Sequence, residues 1–135
     1  MNTEKIEELN ACDDAVKWLQ EQESYEQAWQ DCVRGDWMLW LLDKKAGPVE
    51  SQSSKDLALC RCEVAELSLP YAGKNKDVCE KTYQAIRNYH AGKLTVEELR
   101  SVAAAAPAAY SAARKTILND AADIVRKHYP DPPEL

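Results

Sequence analysis

Gly35-Asp-Trp-Met-Leu-Trp-Leu-Leu-Asp-Lys-Lys-Ala-Gly-Pro48 is the stretch from which the fold can be read. Asp36 has the side chain to cap the free N–H groups of a helix start. Lys44 and Lys45 follow in the last turn, where the negative end of the helix dipole favours cations. Gly47 stands at the C′ position and Pro48 forbids continuation. Trp37 and Trp40 are three residues apart and share a face. The core of this helix, Trp37 to Leu42, is apolar all round, which is more than one core-facing stripe requires.

Working outward, the same grammar recurs. Ser24 and Gln27 have capping-box spacing and open a helix through Ala28, Trp29 and Cys32, which Gly35 closes, leaving a tight turn at Arg34-Gly35-Asp36. Before it, Asn10 is placed to cap a helix over residues 10–20 with Ala11, Cys12, Ala15, Val16 and Leu19 on one stripe. After it, Pro48-Val-Glu-Ser-Gln-Ser-Ser54 is polar and aperiodic, a loop that sets an acidic N-terminal third apart without making a second domain. A helix from Lys55 to about Ser68 presents Leu57, Cys60, Val64 and Leu67 and ends at Pro70. The next spans about Lys76 to His90, presenting Cys79, Tyr83 and Ile86, and stops at Gly92. Thr95 and Glu98 form a full capping box for a helix to Ala106. Pro107 breaks or kinks the chain, and Ala108 to His128 forms one long helix with Ala113, Ile117, Ala121 and Ile124 along one side. Pro130, Pro132 and Pro133 make residues 129–135 an extended tail. The expectation is an all-α fold, a compact bundle of about six to seven helices joined by short turns, in a single domain over residues 1–135. Residues 103–113 hold eight alanines, a face small enough for close approach to a neighbouring helix.

Composition supports a globular chain: 45% of the 135 residues are apolar and 30% charged, with four Trp, six Tyr and no Phe. Met1 to Leu9 carries Glu4, Lys5, Glu7 and Glu8 where a signal peptide needs an apolar run, so the expected location is cytoplasmic. The longest apolar run, Trp37 to Leu42, falls well short of the ~20 residues of a membrane span. The five cysteines are odd in number and lack C-x-x-C spacing, which suits reduced thiols acting as small buried hydrophobes. Net charge is −6, and residues 1–50 hold 5 Lys+Arg against 12 Asp+Glu. An acidic surface of that kind disfavours direct contact with nucleic acid, which needs a basic footprint, and suits a basic protein partner.

No catalytic centre is legible. His90 and His128 have no His or Cys at i±3 or i±4, and Cys60 and Cys62 point about 200° apart on a helix, so no metal ligand pair forms. The chain has no G-x-S-x-G, Walker A, H-E-x-x-H or G-x-G-x-x-G motif. Asp13 and Asp14 belong to a solvated first turn. The expectation is a non-enzyme without metal or cofactor.

What remains is the aromatic cluster: Trp18, Trp29, Trp37 and Trp40 all lie within the first 40 residues. They serve either as the core of the N-terminal helices or, at Trp37 and Trp40, as anchors of a binding patch. Glu21, Glu23, Glu26, Asp31 and Asp43 surround them in sequence, as a solvated face or as the charged rim of that patch. The candidate partner-binding set is therefore Glu21, Glu23, Glu26, Asp31, Trp37, Trp40 and Asp43.

A family resemblance adds to this. Asn10-Ala-Cys with Ala15-Val-Lys-Trp-Leu19, Ala28-Trp with Cys32-Val-Arg-Gly-Asp-Trp-Met-Leu-Trp-Leu-Leu42, Leu59-Cys-Arg-Cys with Ala65, and Ala121-Ala-Asp-Ile-Val-Arg-Lys127 together resemble immunity proteins of bacterial and bacteriophage genomes, predicted antagonists of polymorphic toxins. The Gly-Asp-Trp-Met-Leu-Trp-Leu run is its most specific part. An Ala/Tyr-rich segment precedes the last motif in that family and is here shortened to Ala103 to Ala113 and interrupted by Pro107. The resemblance implies an all-α binder that sequesters a toxin by steric block, and an acidic surface fits a nuclease toxin with a basic cleft. Two other functions share the sequence features: a phage-encoded inhibitor of a host defence nuclease, and a small helical enzyme or ligand-binding protein with a site between helices.

Overall fold

The structure, a computed structural model, describes residues 1–103 and 109–135, with side chains described for 1–102 and 117–135. Eight α-helices occur among these residues and no strand: α1 Glu4–Glu8, α2 Asp13–Gln20, α3 Tyr25–Asp31, α4 Gly35–Lys45, α5 Gln52–Glu66, α6 Lys76–His90, α7 Val96–Ala103 and α8 Ala109–His128. Two single 3₁₀ turns, Leu69–Tyr71 and Gly73–Asn75, join α5 to α6. The all-α expectation holds.

Side-chain caps form where the spacing asked for them. Ser24 Oγ accepts from the Gln27 amide at 3.1 Å. The Thr95 and Glu98 side chains each accept from the other's backbone N–H at 3.2 Å. Gly92 ends α6 at φ +78°, a conformation a Cβ would strain.

Other expectations are corrected. The helix placed at residues 10–20 begins at Asp13, and Asn10 is a left-handed hinge (φ 63°) between it and α1, a five-residue helix too short to leave a periodic signal. Cys12, at its N-cap position, is exposed, unlike the other four thiols. Gly35 does not close α3, and Asp36 does not cap α4. Gly35 is the first residue of α4, with Arg34 at the cap, and a Cβ there would lie 2.5 Å from that of Ala121 in α8. The glycine is demanded by helix contact. Gly47 is not a left-handed cap either: α4 ends through an extended Ala46, and the Gly47 amide donates to Ser53 Oγ at 3.1 Å. The loop expected over 48–54 is shorter, because Ser51 accepts from the Ser54 amide and starts α5 at Gln52. The Pro107 break and the alanine face at 103–113 lie outside the residues fully described.

α5 is the wall between two apolar clusters. Cys60 and Val64 face the larger one, with Trp29, Met38, Leu41, Leu42, Ala121 and Val125 from α3, α4 and α8. Cys62, on the opposite side, faces the smaller one, with Ala72, Cys79 and Tyr83. The 200° between the two cysteines therefore sends one thiol into each cluster.

The C-terminus of α8 is fastened to α3. Arg126 donates to the carbonyls of Cys32 (2.6 Å) and Trp29 (3.2 Å), which are acceptors left over at the end of α3. Residues 129–135 carry no regular secondary structure, bend at Pro130 and Asp131, and lie against α1 and α3.

A candidate binding face around Trp37 and Trp40

The four tryptophans converge. Trp18 of α2, Trp29 of α3, and Trp37 and Trp40 of α4 all line one apolar cavity of about 60 Å³. Bulky rings delivered by three short helices leave space that smaller, interdigitating side chains would fill.

The rings are not equally buried. Trp29 is 4% exposed and belongs wholly to the core, whereas Trp18, Trp37 and Trp40 are half-buried. Trp18 and Trp37 pack tilted at 51°, with centroids 6.0 Å apart. The Arg34 guanidinium covers Trp37 at 4.3 Å and is held there by two bonds to Asp36, of 2.9 and 2.8 Å. Asp36, the side chain closest by, also raises the Arg34 pKa.

Outside the cavity, Trp40 stands between two surface grooves. One, of about 340 Å³, runs from Trp37 and Trp40 to Ala11 and Cys12. The other, of about 470 Å³, runs from Trp40, Leu39 and Asp43 to Arg61 and Val64 of α5. Trp37 and Trp40 thus pack against the large apolar cluster and keep part of their surface exposed beside the grooves.

The acidic candidates fall in two places. Asp43 borders the second groove, 3.1 Å from Arg61, in an exposed ion pair of the kind worth about 0.2–1 kcal/mol. Glu21, Glu23, Glu26 and Asp31 are exposed along the α2–α3 turn and α3 and border neither groove. Asp31 accepts from Gln27 at 2.7 Å. All nine acidic residues of 1–33 are exposed, against two lysines, and none of the nine lines either groove at Trp40. At the grooves themselves charge is mixed, Asp36 with Arg34 and Asp43 with Arg61. Arg34 and Arg61 were missing from the sequence-derived set. Arg34, two residues from Asp36, left a local signal; Arg61 is brought in by another helix and left none.

Burial pushes the Cys60 and Cys62 thiols up to about 12 and raises Cys32 as well, so all three stay protonated at neutral pH. His90 Nε2 lies 2.9 Å from Asp56 and His128 Nε2 3.0 Å from Glu63, so each imidazole meets a separate carboxylate of α5. The His90 hydrogen bond lowers the Asp56 pKa. Burial pushes Glu63 up, but His128 and Lys127 beside it outweigh that and bring it down. Among the described residues no three His, Cys, Asp or Glu side chains gather as metal ligands, and no helix is long and apolar enough to cross a membrane.

Comparison with known proteins finds no family model, no curated protein and no solved structure that matches this chain.

Proposed function

We propose that this chain is a binding protein which neutralises a basic protein partner through the Trp37/Trp40 face, as an immunity protein does its toxin. The observation that carries this is Trp40, partly exposed between two grooves in a chain whose residues 1–33 present nine exposed carboxylates. Large rings on a rigid helix are the usual anchors of binding energy, because they bury much area at little entropic cost. The acidic surface acts at longer range, speeding encounter with a basic partner. Inhibition then follows from occupancy, with no bond made or broken. The resemblance of residues 28–42 to immunity proteins supports the same reading.

Tagged full-length chain, washed at low salt and eluted with high salt, supplies the partner, which is then purified and reconstituted. Trp40→Ala is expected to weaken the reconstituted complex at least tenfold with the helical spectrum unchanged. The triple reversal Glu21→Lys, Glu23→Lys, Glu26→Lys is expected to slow association and flatten its salt dependence. A partner whose toxic activity falls on one-to-one binding supports the immunity role. A defence nuclease would move the same face to anti-defence, and equal binding by both variants would remove the face from the account.

A further inference from the structure

We infer that residues 129–135 are a strap that fastens α1 and α3 to the body of the protein, so that release of the strap and opening of these two helices are one event. The strap thereby sets the shape of the aromatic cavity that Trp29 shares with Trp37 and Trp40. This concerns how residues 1–33 are held, and it stands whether or not Trp40 binds a partner.

The N-terminal helices need outside support. α1 has five residues and α3 seven. Isolated helices shorter than about 12–15 residues are marginal in water, so helices this short persist only through tertiary contact. The most extensive backbone-to-backbone packing among the described residues joins α4 to α8, α5 to α6, α5 to α8 and α6 to α7, and none of α1, α2 or α3 takes part in it.

The ties come from far along the sequence. Among the described residues, the hydrogen bonds that join residues 1–33 to the chain beyond Asp36 all end on residues 126–135. Arg126 supplies those to the Trp29 and Cys32 carbonyls. The strap supplies the rest: Trp29 Nε1 donates to the Tyr129 carbonyl at 2.8 Å, Gln30 Nε2 to that of Pro130 at 2.7 Å, Tyr25 Oη to that of Pro133 at 2.8 Å, and Lys5 of α1 to the Leu135 main-chain oxygen at 3.2 Å. Tyr129 and Leu135 also pack against the larger apolar cluster, so the strap is anchored by burial at both ends. If the strap lifts while α3 stays in place, Trp29 Nε1, on a ring only 4% exposed, becomes a buried donor without a partner, the costliest way to lose a hydrogen bond. Opening α3 returns that donor to water. The two changes therefore favour each other.

Hydrogen exchange in the ¹⁵N-labelled whole chain tests this. The Trp29 indole N–H reports strap release, the Ile6 and Ala28 amides report α1 and α3, and the Tyr83 amide reports α6. The indole, Ile6 and Ala28 are expected to be protected to within about threefold of one another, and Tyr83 by about tenfold or more beyond them. Tyr25→Phe removes one bond to the strap and keeps the ring, and it is expected to speed exchange at the indole, Ile6 and Ala28 by a common factor of about threefold or more. An indole proton that exchanges faster than Ala28 beyond the threefold margin belongs to a strap that frays by itself, and overturns the inference. So does a Tyr83 amide that exchanges as fast as the other three, and so does a folded Tyr25→Phe chain in which the indole alone, or no reporter, is accelerated. If Tyr25→Phe does not fold, the rates in the native chain decide.

Discussion

The two sides of α5 are packed by different means. On one side, large rings and aliphatics from α1 to α4 leave a cavity of about 60 Å³ and two outer grooves. On the other, Cys62, Ala72, Cys79 and Tyr83 close over one another, with Cys62 only 1% exposed. Small side chains fit between helices that run side by side for four turns, whereas four indoles carried by helices of 7 to 11 residues do not tessellate. The closed seam holds α6 against α5. The open quarter holds the chain together and still presents aromatic surface, which is why the binding reading belongs there.

Substitution of single residues tests the contrast. The largest effect is expected for Trp29→Ala, about 3–5 kcal/mol, since a fully buried ring leaves a cavity beside an existing one. Trp40→Ala is expected to cost about 1–2 kcal/mol, less than Trp29→Ala because its ring is partly exposed. Chemical denaturation of the two variants reports the difference, and equal losses would place Trp40 in the core. Gly35→Ala is expected to cost about 1–3 kcal/mol by forcing α4 from Ala121, seen as a lower midpoint with an unchanged slope. Cavity filling then separates the two sides. Ala15→Val, at the cavity, is expected to be neutral or to stabilise by up to about 1 kcal/mol, whereas Cys62→Met in the closed seam is expected to lose about 1–3 kcal/mol.

Smallest of all is the response to acid. Asp56 and Glu63 ionise more readily in the folded chain than in the unfolded one. Their contribution is therefore complete above the ordinary carboxyl range, about pH 4, and is lost as pH falls through the lowered folded values. Both side chains are solvent-accessible, so screening keeps the effect small. Asp56→Asn is expected to flatten the fall in thermal midpoint below about pH 4 slightly, and an unchanged profile would show that the His90 contact contributes nothing.

Much of this architecture is written locally. Ser24 and Gln27, Thr95 and Glu98, and Gly92 each announce a helix end through contacts three or four residues long, and those ends are where the structure has them. What was not legible depends on residues far apart in the chain. Gly35 looked like a terminator because glycines often are, but its reason is Ala121, 86 positions on. Trp29 gave no sign that its indole N–H would be used by the carbonyl of Tyr129, 100 residues away. At the candidate site, Trp37 and Trp40 were legible as a pair because helical spacing puts them on one face. That Glu21, Glu23, Glu26 and Asp31 line neither groove, and that Arg61 enters one, depend on how helices pack and left no periodic trace.

The most direct test of the central claim is the affinity of the reconstituted partner complex for Trp40→Ala and Trp40→Phe, measured beside the thermal midpoint of each variant. The binding face predicts at least tenfold weaker binding for the alanine, about 1.4 kcal/mol, with partial recovery by phenylalanine and both variants folded. Affinity unchanged in a folded Trp40→Ala protein would contradict it.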